Sequence, residues 1–400
     1  MRIGDTHLTY CTNVHPGEHL PEVLGNLGRY VAEVKALASP RAPFAVGLWL
    51  AHDAAVALEN GALAELQGAL REHDLYVPTL NGFPFGAFHG TRVKERVYEP
   101  DWRDPRRREH SVRLARILAQ LLPEGVRGSI STLPGGYKPA LRGLVDEERI
   151  AGALLAHVGD LHAVERDTGK HIMLGLEPEP CCMLETIEET VAFFSTHLQD
   201  ERAVASVAQI TGTTRSQAER LIRRHLGICL DACHAAVEFE SARELVAALR
   251  RAEIPIAKVQ LSTGLRVPNV DAAARAALAD YAEDVYLHQV VAKRGDTLTR
   301  FTDLPDALAA QPVPGEEWRI HFHVPVFAER LGVFESTQPF LVELLREHAR
   351  EPLSDHLEVE TYTWGVLPEA LRAGSLPQAI ARELRFCMDT LQGASQPSAP

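Results

Sequence analysis

The stretch His171-Ile-Met-Leu-Gly-Leu-Glu-Pro-Glu-Pro180 decides the fold. Ile172 to Leu176 is an apolar run with no room for a helix. It follows a long helical pattern and stops at two carboxylates set between prolines. A parallel strand buried on both faces reads as such a continuous apolar run. Pro178 and Pro180 cannot extend a central ladder, so the strand ends beside Glu177. In a barrel of parallel strands, the C-terminal lip is where chemistry is placed.

The same unit, a helix followed by a short apolar strand with a polar end, recurs along the 400 residues. Strands are expected at Thr6–Cys11, Phe44–Leu50, Tyr76–Leu80, Gly128–Thr132, Ile172–Leu176, Gly227–His234, Ile256–Ser262 and Leu357–Trp364. Pro78 is awkward for a central strand. Helix starts are read at Pro21, at Asp53 and Thr337 as caps, at Asp104-Pro105 and at Pro377. The fold expected is α/β, a (β/α)8 TIM barrel spanning 1–392 as one domain. The Gly/Ser/Pro/Gln-rich end, 393–400, reads as a disordered tail.

Two interruptions break the rhythm. Residues 200–226 read as two short helices around Thr211-Gly-Thr-Thr214. Tyr286–Val291 and Arg319–Val324 alternate as strands, and are expected to extend from the lip between strands seven and eight. A loop from Asn81 to Trp102, with Phe83, Phe85, Phe88 and His89, is long enough to be a lid or binding loop; its aromatics would equally serve to pin it.

A net charge of −13 argues against nucleic acid and anionic membrane surfaces as partners. Arg106-Arg107-Arg108 lies in a helical pattern and reads as a solvated face. Six cysteines are too few for a disulfide scaffold. The N-terminus lacks a signal-peptide pattern, and no apolar stretch is long enough to span a bilayer. A cytoplasmic location follows as the expectation. There is no Gly-rich dinucleotide fingerprint, P-loop or Gly-x-Ser-x-Gly elbow.

The late strand ends supply Glu177 and Glu179, Asp231 and His234, Gln260, and Glu358 and Glu360. If the barrel closes, these converge on one mouth. Carboxylates gathered without matching cations repel one another, and a divalent cation relieves that. Oxygen donors favour Mg²⁺ or Mn²⁺, and nearby histidines keep Zn²⁺ open. Strand alternation would put His321 and His323 on one face, with His288 close by, as added ligands or substrate contacts. His89 would cover the site. Lys138, after Leu133-Pro-Gly-Gly-Tyr137, is a candidate anion contact, and a plain Gly-Gly turn is the competing reading. Cys181-Cys182 and Cys233-His234 do not have the spacing of a zinc motif.

At these residues the chain resembles the xylose-isomerase-like superfamily of sugar isomerases, epimerases and endonuclease-IV-like enzymes. In the sugar epimerases one metal is held by Glu, Asp, His and Glu. The resemblance implies Glu177, Asp231, Gln260 and Glu360 as metal ligands, with Gln260 standing where those enzymes carry His. It implies Glu177 and Glu360 as the catalytic acid/base pair, and His234, from Asp231-Ala-Cys-His234, as a substrate contact. More narrowly, Leu8-Thr-Tyr-Cys-Thr-Asn-Val-His-Pro-Gly-Glu18, Leu176–Pro180, Leu230–His234 and Glu360–Trp364 look like the EboE-like metabolite-traffic proteins. That likeness implies a small-molecule metabolite in a biosynthesis or export pathway, and other proteins of the same operon as partners. The function expected is a metal-dependent isomerase or epimerase-like enzyme. The alternatives are a non-catalytic carrier of the same pathway and an endonuclease-IV-like phosphoester hydrolase.

Overall fold

Eight parallel strands take up the apolar runs: β1 Thr6–Tyr10, β2 Phe44–Trp49, β3 Leu75–Asn81, β4 Gly128–Thr132, β5 Ile172–Leu176, β6 Leu226–Asp231, β7 Ile256–Leu261 and β8 His356–Val359. The structure, a computed structural model, describes residues 1–90, 92–368, 372 and 374–394. The strands are hydrogen-bonded in the order β1-β8-β7-β6-β5-β4-β3-β2. Helices alternate with them, so the chain is a (β/α)8 TIM barrel.

The barrel closes between β1 and β2 through one backbone bridge, Cys11 to Gly47. Threonine hydroxyls complete the seam. Thr9 Oγ1 donates to the Ala45 carbonyl and accepts from the Gly47 N–H, at 2.6 and 3.0 Å. Thr12 Oγ1 accepts from the Trp49 N–H at 2.9 Å. Side chains thus satisfy strand edges that would otherwise be buried unpaired. The seam is loose because a side chain lies across it: a Cβ on Gly47 would overlap the Glu358 carboxylate. Glu358 is itself fixed by Lys258 at 2.6 Å, both fully buried in the lumen. Gly47→Ala should therefore unseat this ion pair and cost several kcal/mol, roughly the loss seen when a buried pair is broken. A denaturant midpoint within error of the parent would refute that.

Pro78 is tolerated by a slip in register. Ala45 pairs with Tyr76 but Gly47 pairs with Thr79, so β3 carries an extra residue beside the proline. Arg106 and Arg108 reach Asp104 and Asp160 at the surface, in keeping with a solvated face. Arg107 does not fit that reading. It is fully buried and donates to the carbonyls of Pro100, Gly82 and Phe83. It ties down both ends of the long loop after β3. Asp53 lies in the first turn of its helix rather than capping it; Ala51 holds the cap position. The Thr337 hydroxyl accepts from the Gly264 N–H instead of from its own helix.

The insertion forms two helices, Glu201–Thr211 and Arg215–His225. The Thr214 hydroxyl caps the second, accepting from the Gln217 N–H. Between β7 and β8 stands a six-stranded antiparallel sheet in the order Thr297–Phe301, Val290–Arg294, Glu317–Ile320, Leu265–Val267, Phe334–Ser336, Arg330–Leu331. It has its own apolar cluster, including Leu265, Trp318, Ile320 and Phe334. The expected lip strands are thus shorter than their alternation suggested. One begins only at Val290, and the other stops at Ile320, where the Phe322 N–H turns back onto the Ile320 carbonyl. β6 likewise ends at Asp231, and His234 sits on the helix Ala232–Val237. β8 ends at Val359, and Tyr362–Gly365 is a short helical turn. Gly393 and Ala394, read as tail, belong to the helix Leu376–Ala394; 395–400 lie outside the described residues. No helix among the described residues is long and apolar enough to cross a membrane.

Candidate metal centre

Glu177 and Glu360 each follow the last residue of a strand, β5 and β8, and Asp231 closes β6. Each of the three offers a carboxylate oxygen, and these lie within 4.8 Å of one another, in buried surroundings. Their remaining bonds are asymmetric. Glu360 Oε1 accepts from the amides of Asn13 and Asn81, at 2.7 and 3.0 Å. Asp231 Oδ1 accepts from the His234 N–H and from Ser262 Oγ, at 2.9 and 2.7 Å. Glu177 Oε2 and Asp231 Oδ2 are buried with no partner. An unpaired buried acceptor is costly, and a cation placed among such oxygens removes the cost.

Gln260 pairs in register with Asp231 on one side and Glu358 on the other, and is fully buried. Neither its amide nitrogen nor its oxygen has a partner. His323 arrives from the lip sheet's side of the mouth. Its Nδ1 donates to the Glu360 carbonyl at 2.6 Å, which leaves Nε2 as the lone-pair nitrogen. That Nε2 is buried and unpartnered, and His323 groups with Asp231 and His234. A ligating imidazole is usually fixed by such an Nδ1–H bond to a carbonyl. The donor set fits a divalent cation on this ground: Glu177, Asp231 and Glu360, with His323 and the Gln260 amide oxygen in reserve.

The other expected contacts divide. His234 and His321 line the cavity above the carboxylates, together with Glu179. His288 is spent elsewhere, on Glu283 at 2.8 Å and the His321 carbonyl at 3.0 Å, and packs on Phe322. Its role is to brace the lip, which corrects the expectation of a substrate contact. His89 is spent too, on the Asn13 carbonyl at 2.5 Å and Tyr286 Oη at 3.1 Å, and so pins the long loop over the mouth. Lys138 pairs with Glu185 and Glu189 at 2.5 and 2.8 Å and does not line the cavity, so it is no anion contact. Asn13, Asn81, Tyr98 and Gln289 were not singled out from the sequence. Asn81 closes β3 and Asn13 lies three residues beyond the end of β1, a signal visible by the rule applied to the late strands.

Burial dominates the electrostatics. It raises Glu177 well above the usual carboxylate range, and the charges of Glu360 and Asp231 raise it further. Burial, then Asp231 and Glu358, push Glu360 up to about 8. Burial raises Asp231, while His323 and the hydrogen bonds to Oδ1 oppose that. Lys258, beneath them, would be lowered by burial, but Glu358 beside it outweighs that and raises it. An acid whose folded pKa is raised contributes stability below its unfolded pKa and loses it as pH climbs to the folded value. For Glu360 the window runs from 4.5 to about 8. Metal-free Glu360→Gln protein should therefore melt above metal-free parent at pH 8, with the gap closing near pH 5. A gap independent of pH would contradict the raised pKa.

No protein-family model matches the chain. No curated protein matches it either. Among solved structures it is similar to a xylose isomerase domain protein from Planctomyces limnophilus, with 11% identity over 98% of this chain and 96% of that one, at a TM-score of 0.48. It is similar to D-psicose 3-epimerase from Clostridium cellulolyticum H10, crystallised with D-tagatose, with 11% identity over 98% and 100%, at 0.47. A third is the IolI protein with a bound zinc atom, with 12% identity over 98% and 100%, at 0.45. Likenesses this remote do not bear on the reaction, and the architecture rests on the strand pairing. The narrower likeness to EboE-like proteins finds no counterpart among them.

Proposed function

We propose that the chain is a metal-dependent isomerase or epimerase-like enzyme that moves a proton at a carbon beside a carbonyl. The observation that carries this is the meeting of three strand-end carboxylates around buried, unpartnered oxygens, faced by an imidazole whose lone pair is turned inward. A divalent cation held by Glu177, Asp231, Glu360 and His323 would supply charge stabilisation for a developing oxyanion.

The two glutamates differ in ways that assign roles. Asn13 and Asn81 donate to Glu360 and stabilise its carboxylate. Glu177 has an orphaned oxygen, and burial with the neighbouring charges of Glu360 and Asp231 favours its protonated form. Paired carboxyls whose hydrogen-bonding surroundings differ in this way divide into acid and base. Glu360 is then the base that removes the proton and Glu177 the acid that returns one. Asp231, bonded on Oδ1, holds position rather than a proton.

The cavity wall indicates the substrate. Phe83, Phe88, Val97 and Leu287 line the same cavity as Glu177, Glu360 and His234. Lys94 is the one Lys or Arg lining the cavity among the described residues. Its amine is consumed by Asp303 at 2.6 Å and by the carbonyls of Glu283 and Tyr286. Among the described residues, a phosphate or carboxylate would find no free lysine or arginine in that lining. The substrate favoured is neutral, with a polyol or hydroxycarbonyl end and an apolar portion. The metabolite-traffic setting, its partner proteins and a cytoplasmic location stay part of the proposal.

The test is a panel of neutral ketoses and their O-alkyl and O-aryl ethers with the carbonyl left free, incubated in D₂O with Mn²⁺ or Zn²⁺. Deuterium should enter one carbon of at least one compound. Saturable binding without exchange across the panel would replace the enzyme by a carrier.

A further inference from the structure

Above the carboxylates, two imidazoles direct nitrogen at nitrogen: His234 Nε2 and His321 Nε2 lie 3.1 Å apart. Their partners fix the protons. His234 Nδ1 faces the Pro178 carbonyl at 3.1 Å, which can only accept. His321 Nδ1 faces Gln289 Oε1 at 2.7 Å. The Gln289 amide is oriented by its nitrogen, which donates to Tyr98 Oη and to the Pro180 carbonyl at 2.9 and 3.1 Å. Both Nδ1 atoms therefore carry hydrogen, and both Nε2 atoms of the neutral rings present lone pairs to each other.

Two lone pairs at that distance in a buried pocket repel unless something electrophilic sits against both, and the Tyr362 hydroxyl, 3.4 Å from His321 Nε2, reaches only one of them. Zinc binds imidazole nitrogen at about 2.0–2.1 Å, so two nitrogens on one zinc at roughly 90–109° stand about 2.9–3.4 Å apart. The observed separation is that of two neighbouring corners of a coordination polyhedron. Glu179 brings a third ligand atom within 4.8 Å of one nitrogen of each ring; its Oε1 lies 3.6 Å from His321 Nδ1 and accepts from Tyr98 Oη and the Gln289 amide at 3.0 and 3.3 Å. It is buried, and it lines the same cavity as His234 and His321.

We infer a second cation site formed by His234, His321 and Glu179, open to the cavity and suited to zinc or cobalt(II). Two imidazoles and one carboxylate with an open position form the donor set of a reactive zinc. The oxygen-rich group of Glu177, Asp231 and Glu360 suits a harder ion. The two sites adjoin, since Asp231 Oδ1 lies 3.9 Å from His234 Nε2. The inference goes beyond the isomerase reading, which needs only the carboxylate site. His321 comes from the lip sheet's segment, so the sheet completes this site as well as roofing the mouth.

The experiment uses full-length protein stripped with chelator, dialysed against zinc, and titrated with Co²⁺ while visible bands are followed. Parent protein should bind two zinc equivalents. His321→Gln and Glu179→Gln, each checked for an unchanged thermal melt, should bind one and lose the nitrogen-dependent Co²⁺ bands. Asp231→Asn should lose the other equivalent and keep those bands. If His321→Gln does not fold, Glu179→Gln carries the test alone. One equivalent in the parent, lost in Asp231→Asn and kept in His321→Gln, would overturn the second site and leave the carboxylate site standing. One equivalent lost in His321→Gln but kept in Asp231→Asn would support the second site and remove the first. No binding at all would overturn both.

Discussion

Replacing Glu360 by Gln is expected to lower solvent-deuterium exchange into the substrate by about 10²–10⁴-fold, the usual loss when one acid–base group is removed. Gln can still accept from the Asn13 and Asn81 amides that hold the present Oε1, so the mouth should keep its shape. What disappears is the basic carboxylate. Glu177→Gln should cause a fall of similar size, for lack of the returning proton. The pair act on one proton circuit, so the double variant should lose little more than either single one. Ligand affinity should change far less than rate. Parent-like exchange in both single variants would exclude the assignment.

Lys258→Met is expected to cost about 3–5 kcal/mol of folding stability, since it strands the Glu358 carboxylate in the barrel lumen. The buried pair itself need not be a net stabiliser. Replacing both partners with apolar residues of similar size is often neutral or better. Lys258→Met combined with Glu358→Leu should therefore recover most of the loss. Urea midpoints of the two singles and the double give the comparison. Additive losses would mean that Glu358 is held by something other than Lys258. The pair also matters to the site, because Lys258 lowers the pKa of both Glu177 and Glu360.

How much of this was legible beforehand depended on how local the cause was. β5 runs Ile172–Leu176, as the apolar stretch indicated. Its limits are set by neighbours in sequence: the left-handed Gly169 closing the preceding helix and the two prolines after Glu177. Glu177, Asp231 and Glu360 lie at or one residue beyond strand ends, so strand reading was enough to gather them. His234 was misplaced because Gly227 to His234 is apolar enough for strand or helix. The deciding feature is Asp231, whose carboxylate both ends β6 and caps the next helix through the His234 N–H. His321 and His323 alternate like strand residues, yet they leave the sheet at Ile320 and reach the mouth from a turn. Their convergence with His234 comes from tertiary folding, with ring centroids 4.5 and 6.0 Å from it. Arg107 shows the same limit. Nothing in three successive arginines marks which one meets three carbonyls at the two ends of the preceding loop. Lys138 erred in the opposite direction: its partners Glu185 and Glu189 are some fifty residues away in sequence.

The central claim is that Glu177, Asp231 and Glu360 share a divalent cation. Crystals soaked in Mn²⁺, with data collected at the manganese edge, test it most directly. The account predicts an anomalous peak among the three carboxylates, within about 2.0–2.6 Å of an oxygen from each, the bonding range of hard divalent ions. It further predicts the His323 Nε2 atom turned toward that peak, and its loss in crystals of Asp231→Asn. A manganese peak elsewhere, with the three carboxylates bound only to protein or water, would contradict the account.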